Sequence, residues 1–221
     1  MPHIILASQS PRRRQLLSLT GLPFSVEPAE VDESIVDLPD PAANSVQTAR
    51  LKAQALRRHY AGQEMTGIIV LAADTNVALD NRILGKPLNA SHAAEMLRSL
   101  CGREHQVYTG MTLIDLSSGQ ELCAVHEAKV TMRRYNDVEI DAYIAGGDPL
   151  DKAGAYGIQH PEFRPVEKLE GCFLGVMGMA VCQLQQMLPL LGLQPRTDFA
   201  ALEAAHMGFY CPLFQQVSAA K

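Results

Sequence analysis

The chain has 221 residues, of which 47% are hydrophobic and 19% charged, and its formal net charge is −5. This length accommodates one large domain, and the net negative charge argues against nonspecific nucleic-acid binding. No apolar stretch is long enough to span a membrane, and the start lacks the pattern of a signal peptide, so we expect a cytoplasmic protein with neither nucleic-acid nor membrane partners.

The amino-terminal segment is predicted to form a strand, a tight loop and a helix. Residues 3–7 are a short apolar run typical of a buried strand, and residues 8–11 interrupt it with loop chemistry. Ser10 is suited to cap the helix, Pro11 fits a first turn where no N–H is needed, and Gly21 can end it.

The start of this helix is a candidate anion site. Free backbone N–H groups and the helix dipole favour an anion there, and the hydroxyls of Ser8 and Ser10 add donors. Arg12 and Arg13 follow in the first turn, and guanidinium groups bind phosphate oxygens bidentately. This spacing is equally compatible with a capped surface helix whose arginines are solvated.

The middle of the chain is predicted to alternate between strands and helices. Residues 67–73 are a continuous apolar run, as expected of a strand covered on both faces, and the run ends at Asp74 and Thr75. Two alternating segments around residues 117–119 predict a long antiparallel hairpin. The other predicted elements are a strand over 23–27, an acidic loop over 31–41, helices over 42–60, 91–100, 136–145 and 177–191, a hairpin turn at 80–81 and a glycine-punctuated loop over 148–159. Strands mixed with helices predict an α/β sheet.

Isolated lysines and carboxylates form a second candidate set: Glu33, Lys52, Asp74 and Lys86. Phosphoryl chemistry uses a divalent metal to offset oxyanion charge, carboxylates to hold that metal or activate water, and lysines to bind phosphates. Asp74 is the strongest candidate because ligands gather beyond the carboxyl ends of strands in open α/β sheets, although it would equally serve to cap a turn. For each of the others alone, a surface ion pair is the favoured alternative.

The cysteines and histidines give no metal-binding pattern in the sequence. The five cysteines form no CxxC pair and no His-linked spacing, so free thiols are expected. His92, His105, His126 and His160 are scattered singly, which favours surface or core positions over metal ligation.

Several motifs resemble those of the Maf family, in the family's order and over about residues 3 to 192. They are Ile5-Leu6-Ala7-Ser8-Gln9-Ser10-Pro11-Arg12-Arg13, Ala73-Asp74-Thr75, Gly85-Lys86-Pro87, residues 93–102, and Pro149-Leu150-Asp151-Lys152-Ala153-Gly154-Ala155-Tyr156-Gly157-Ile158-Gln159.

The resemblance implies a mixed twisted sheet with flanking helices around a deep cleft, akin to inosine triphosphatases and often dimeric. It also implies hydrolysis of a nucleoside triphosphate to the monophosphate and pyrophosphate with a divalent metal cation, Mg or Mn. By motif, Asp74 would be the general base and would bind the metal with Glu33. The triphosphate would be held by Ser8, Ser10, Arg12, Arg13, Lys52 and Lys86.

Three positions bear on the substrate base. Arg12, Thr75 and Gln159 resemble the branch of the family that acts on dTTP and UTP. The amide of Gln159 offers a donor and an acceptor, which can pair with the imide edge of uracil or thymine. Alternatives are a pyrophosphatase for modified or non-pyrimidine nucleotides, and a nonenzymatic nucleotide-binding regulator of cell division.

The sequence departs from the family's pattern towards its carboxyl end. His160 follows the glutamine where the family usually has glycine, and Gly178-Met179-Ala180 stands where it usually has Gly-Leu-Pro. We therefore assign residues 1–195 to a Maf-like nucleotide pyrophosphatase domain and 196–221 to a carboxyl-terminal extension of unknown role. The extension would pack either on the body or at a dimer interface.

Overall fold

The chain folds around a mixed sheet of seven strands with helices on both faces, and the computed structural model describes residues 3–219. The strands are β1 (His3–Leu6), β2 (Phe24–Val26), β3 (Ile68–Leu79), β4 (Arg82–Leu84), β5 (Glu104–Asp115), β6 (Glu121–Met132) and β7 (Val166–Glu170). The helices are α1 (Pro11–Ser18), α2 (Pro41–His59), α3 (Ala90–Leu100), α4 (Asp137–Ala145), α5 (Phe173–Met177), α6 (Val181–Met187), α7 (Phe199–Ala204) and α8 (Pro212–Ala219). The predicted α/β class is confirmed.

The sheet changes from parallel to antiparallel pairing along its width. Its order is β2-β1-β3-β5-β6-β7, with β4 beside β3. β1 pairs in parallel with β2 and β3, and all other pairs are antiparallel. The predicted hairpin of β5 and β6 is confirmed. So is the turn between β3 and β4, where Asp80 and Asn81 have φ of 51° and 61°, as a type I′ turn requires.

Apolar side chains cover both faces of the sheet because neighbouring strand residues point to opposite sides. On one face, Ile5, Val70 and Ala72 pack with Ala53 and Leu56 of α2. The opposite face carries the larger core, which packs against α1, α3, α4 and the carboxyl-terminal helices. The sheet is therefore held between two helical layers, within the part of the chain that the structure describes.

Helix α2 approaches the sheet closely at Gly110 of β5. A Cβ atom at Gly110 would lie 2.4 Å from the carbonyl oxygen of Ser45, which is closer than any van der Waals contact allows. The register pairs Gly110 with Asp74, so α2 lies directly over the strand residue that the sequence singles out. Only glycine permits this packing.

Strand β3 is longer than predicted. The apolar run suggested a strand ending before Asp74, but β3 continues to Leu79 because its second half pairs with β5 and β4. Asp74 therefore lies within a strand. The expectation that it follows a strand's end is wrong.

The predicted helix over residues 177–191 is also wrong at its start. Helix α5 ends at Met177, Gly178 has φ of 123°, and α6 begins only at Val181. A φ in that region is incompatible with an α-helix and is readily adopted by glycine. Strand β7, which the sequence pattern did not predict, is short and pairs only with β6.

The carboxyl-terminal extension packs on the body of the protein. Leu202 of α7 and Phe214 of α8 are buried and belong to the main core, and Phe209 stacks on Phe173 with ring centroids 5.2 Å apart. The described part of the extension is thus continuous with the core. No helix within residues 3–219 is long and apolar enough to cross a membrane.

Candidate functional site

All the residues that the sequence singles out for substrate, metal and catalysis line one cavity of about 770 Å³. They come from segments far apart in the chain: Ser8, Ser10, Arg12, Arg13, Glu33, Lys52, Asp74, Thr75, Lys86 and Gln159. The structure therefore brings the two candidate sets together, which their spacing alone could not establish.

The cavity opens at a gap in the sheet beside β3. β1 pairs with β3 as far as Leu71, and β4 begins to pair only at Val77. Residues 72–76 therefore have a strand neighbour on the β5 side only. On its other side, this stretch of β3 has a free backbone edge between the parallel pairing with β1 and the antiparallel pairing with β4. Asp74 is accessible because its neighbouring strand has ended, even though its own strand continues.

A buried lysine joins the two carboxylates of the site. Asp74 points to the face covered by α2, where its Oδ1 accepts a hydrogen bond from Lys52 Nζ at 2.8 Å. Glu33 Oε2 lies 3.0 Å from the same nitrogen. The side chains of Lys52 and Asp74 are 10% and 15% exposed, whereas that of Glu33 is 55% exposed. Both carboxylates therefore face one positive charge at the side of the cavity.

Thr75 points to the opposite face of β3, as strand alternation requires. Thr109 donates its hydroxyl proton to the carbonyl oxygen of Gly175 at 2.8 Å, so the 2.9 Å contact between the two threonines is donated by Thr75. The Thr75 oxygen is then the acceptor for Arg13, whose Nη2 lies 3.5 Å away. This chain of hydrogen bonds fixes the threonine hydroxyl at the cavity wall.

Arg13 links the amino-terminal loop to the far wall of the cavity. Its Nε donates to the carbonyl oxygen of Gly178 at 3.0 Å, and its Nη1 donates to Ser8 Oγ at 3.4 Å. Burial lowers the pKa of the Arg13 guanidinium, and the nearby carboxylates of Asp74 and Glu33 oppose that shift. The guanidinium remains a cation at neutral pH, because its ordinary pKa is far above that range.

The predicted helix cap at the loop is confirmed. Ser10 Oγ accepts a hydrogen bond from the backbone N–H of Arg13 at 3.4 Å, and Pro11 begins α1. Arg12 Nη1 lies 3.4 Å from Asp151 Oδ2, in an ion pair whose partners are 28% and 66% exposed. Arg12 is therefore not an isolated solvated side chain but lies across the cavity mouth.

The loop after α4 supplies the remaining wall. Gln159 of this loop is half-buried and lines the cavity. Lys86, which lies between β4 and α3, is exposed and also lines it. Lys152 also lines the cavity, although it was not among the site residues predicted from the sequence. Its buried Nζ is 2.9 Å from Asp148 Oδ1 and 2.7 Å from Asp151 Oδ1. The sequence did contain a signal for Lys152, because this residue lies in the motif that ends at Gln159.

A mixed sheet that opens onto a cleft lined by two arginines, three lysines and three carboxylates defines an α/β protein with a cationic site for a small anionic ligand. The model of one family, described as Maf-like protein, matches residues 3–191. The chain belongs to the Maf family.

Similar proteins cover most of the chain. A dTTP/UTP pyrophosphatase of Moorella thermoacetica is 42% identical over 192 residues, covering 87% of this chain and 96% of the relative. A dTTP/UTP pyrophosphatase of Caldicellulosiruptor saccharolyticus is 41% identical, covering 87% and 96%. Among solved structures, the Staphylococcus aureus Ham1 protein matches with a TM-score of 0.45 and 16% identity, covering 85% of this chain and 98% of that one.

Proposed function

We propose that this protein hydrolyses dTTP and UTP to the nucleoside monophosphate and pyrophosphate. The observation that carries the proposal is the convergence of cationic, hydroxyl and carboxylate side chains on one cavity. The names of its relatives, which are dTTP/UTP pyrophosphatases at 42% and 41% identity, support the same reaction.

The cations of the cleft would hold the triphosphate. Arg12 and Arg13 follow the capped start of α1, where free backbone N–H groups add further donors. Ser8 and Ser10 add hydroxyl groups at the same loop, and Lys86 lines the same cavity. Polyphosphate recognition of this kind depends on several charge-assisted hydrogen bonds acting together.

Asp74 would act as the general base on the attacking water. Its carboxylate is mostly buried, and its Oδ1 is engaged by Lys52 at 2.8 Å, which orients the group towards the cleft. A carboxylate held in this way can accept a proton from a water molecule placed against the phosphate chain. Thr75, beside it on β3, would contact the substrate from the other face.

Glu33 and Asp74 would also hold a divalent metal ion, Mg or Mn. Their donor set fits such an ion, because both groups offer hard carboxylate oxygens. These oxygens lie 3.0 and 2.8 Å from one lysine nitrogen, so they already face a common positive charge. When bound, the metal would offset the negative charge on the phosphate oxygens.

Gln159 would select the base. The side chain is half-buried at the cavity wall, and its amide can donate one hydrogen bond and accept another. This pattern complements the imide edge of uracil and thymine.

The homodimer and the cytoplasmic location stay predictions from the sequence and its resemblance.

A panel of nucleoside triphosphates tests the proposal. The purified chain would be assayed with dTTP, UTP, ATP, dGTP and modified purine triphosphates, with magnesium or manganese, and both products quantified. We expect dTTP and UTP to have the highest kcat/KM and to give monophosphate and pyrophosphate in equal amounts. Preference for purine or modified nucleotides would favour the alternative pyrophosphatase. Nucleotide binding without pyrophosphate release would favour a nonenzymatic regulator.

A further inference from the structure

A second cluster of polar side chains lies in the core, away from the predicted catalytic residues. Cys172, Cys182, His206 and Cys211 each offer one ligand atom, and these atoms all lie within 4.8 Å of one another. Their exposed fractions are 0%, 0%, 3% and 2%. The free thiols expected from the sequence are confirmed, but folding brings three of them together with His206, which is distant from two of them in sequence.

The cluster is assembled from separate elements. Cys172 precedes α5, Cys182 lies in α6, and both His206 and Cys211 belong to the carboxyl-terminal extension. Within residues 3–219 it is the only group of three or more histidine, cysteine and acidic side chains close enough to hold a metal ion.

Two distances within the cluster, both from the histidine nitrogen to a sulfur atom, match the edges of a zinc tetrahedron. His206 Nε2 lies 3.6 Å from Cys172 Sγ and 3.5 Å from Cys182 Sγ. A tetrahedral zinc ion, with bonds of about 2.3 Å to sulfur and about 2.0–2.1 Å to nitrogen, separates such atoms by about 3.6 Å. Four donors in a closed arrangement leave no open position, as is typical of structural zinc sites.

The groups around the cluster orient its ligands. His206 Nδ1 lies 2.7 Å from the carbonyl oxygen of Leu202, so that nitrogen carries the proton and Nε2 presents its lone pair to the cluster. Cys211 Sγ accepts a hydrogen bond from the backbone N–H of Phe214 at 3.4 Å. Such second contacts are typical of metal-binding histidine and cysteine, and buried cysteines that only fill a core do not need them.

We propose that Cys172, Cys182, His206 and Cys211 bind one structural zinc ion. Three sulfur ligands and one imidazole are the soft and intermediate donors that zinc prefers, whereas the carboxylates of the cleft suit magnesium or manganese. The two sites would therefore hold different metals for different purposes. A disulfide would use only two of the sulfur atoms and would leave the imidazole and the third thiol without a function in the cluster.

The zinc ion would connect the extension to one wall of the nucleotide cleft. Cys172 and Cys182 flank the segment that contains Gly178, whose carbonyl oxygen accepts the hydrogen bond from Arg13 Nε at 3.0 Å. Met177, next to it, also lines the cavity. Because a structural metal contributes folding free energy, bound zinc would strengthen the attachment of the extension to this segment beyond what apolar packing supplies.

Metal analysis of the full chain tests the proposal. The chain would be purified without a histidine tag, equilibrated with zinc, dialysed, and measured by mass spectrometry for zinc, iron and copper. We expect about one zinc ion per chain in the wild type and below about 0.2 in Cys211→Ser and His206→Ala. The control, Cys123→Ser, changes an exposed cysteine outside the cluster and should keep its zinc.

A cobalt experiment on the wild type keeps the test decisive if the variants fail to fold. After zinc is removed, added cobalt should give a thiolate-to-cobalt charge-transfer band and the visible bands of tetrahedral cobalt. Zinc should then displace it at equal stoichiometry. A wild-type chain without zinc and without these bands would overturn the proposal. So would stoichiometric iron or copper, or a disulfide between two of the three clustered cysteines.

Discussion

Replacing Lys52 by methionine tests the centre of the site, because the single positive charge of this side chain contacts both carboxylates. Its Nζ lies 2.8 Å from Asp74 Oδ1 and 3.0 Å from Glu33 Oε2. Methionine keeps much of the side-chain volume and removes the charge. The variant would therefore leave two carboxylates on one side of the cavity without the cation that they share.

The expected loss of stability follows from the exposure of the three groups. Removing one partner of a buried ion pair costs about 3–5 kcal/mol, whereas an exposed pair contributes about 0–1 kcal/mol. Asp74 is mostly buried and Glu33 is about half exposed, so the site lies between these limits. We expect the free energy of unfolding to fall by about 2 kcal/mol, measured by urea denaturation without added magnesium or manganese.

Activity should fall in the same variant for a separate reason. A hydrogen bond to a charged group contributes about 1.5–3 kcal/mol, which corresponds to a loss in kcat/KM for UTP of about 10- to 150-fold. Lys129→Met is the matched control, since Lys129 is an exposed lysine on β6, and it should leave both quantities unchanged. A loss of stability below about 0.5 kcal/mol would refute the ion-pair geometry. Unchanged kcat/KM would refute the role of Lys52 in substrate binding.

Three further variants probe other parts of the account. Gln159→Glu should lower kcat/KM for UTP and dTTP by about 10- to 100-fold while affinity for inorganic triphosphate changes little, and equal losses on all bases would reject its role in base selection. Gly110→Ala should lower the free energy of unfolding by about 3 kcal/mol, because the new Cβ atom would lie 2.4 Å from the Ser45 backbone. Gly146→Ala is the control and should change this free energy little, because the nearest atom to its Cβ would be 3.4 Å away. Burial lowers the pKa of His105 from 6.5 to about 4, so the folded protein binds fewer protons than the unfolded chain between those values. The stability linked to His105 is therefore present above pH 6.5 and is lost as the pH falls towards about 4, and it amounts to roughly 3 kcal/mol. His105→Gln should flatten the dependence of the free energy of unfolding on pH in this range, as measured by urea titration at each pH.

Features with local causes could be predicted from the sequence. The cap at Ser10 depends on residues within one helical turn, and the turn at Asp80 and Asn81 depends on two residues that tolerate positive φ. The paired strands β5 and β6 are predictable because each alternates over a long segment on either side of a short turn.

Features that depend on distant partners could not be predicted in the same way. Asp74 is accessible because β1 stops at Leu6, and nothing near Asp74 in the sequence encodes that. The break at Gly178 occurs within an apolar stretch whose composition favours a continuous helix. Eight of the ten site residues were candidates from their type and position, and Thr75 and Gln159 were added by the resemblance. Their roles stay predictions until variants are assayed.

The cluster of Cys172, Cys182, His206 and Cys211 shows the same limit. Its ligands extend over residues 172–211 and two of them lie beyond the segment matched by the family, which ends at residue 191. Short ligand spacings mark metal sites that form within a single loop or finger, but this cluster forms only when the extension packs on α5 and α6.

Turnover of dTTP by wild-type protein and by Asp74→Asn is the most direct measurement of the catalytic assignment. An amide keeps the shape of the side chain but cannot accept the proton of the attacking water. We predict that pyrophosphate release slows by about 100-fold or more, while a nonhydrolysable dTTP analogue binds with an affinity within about threefold of wild type. Turnover at the wild-type rate would contradict the account, because the carboxylate of Asp74 would then not be the base.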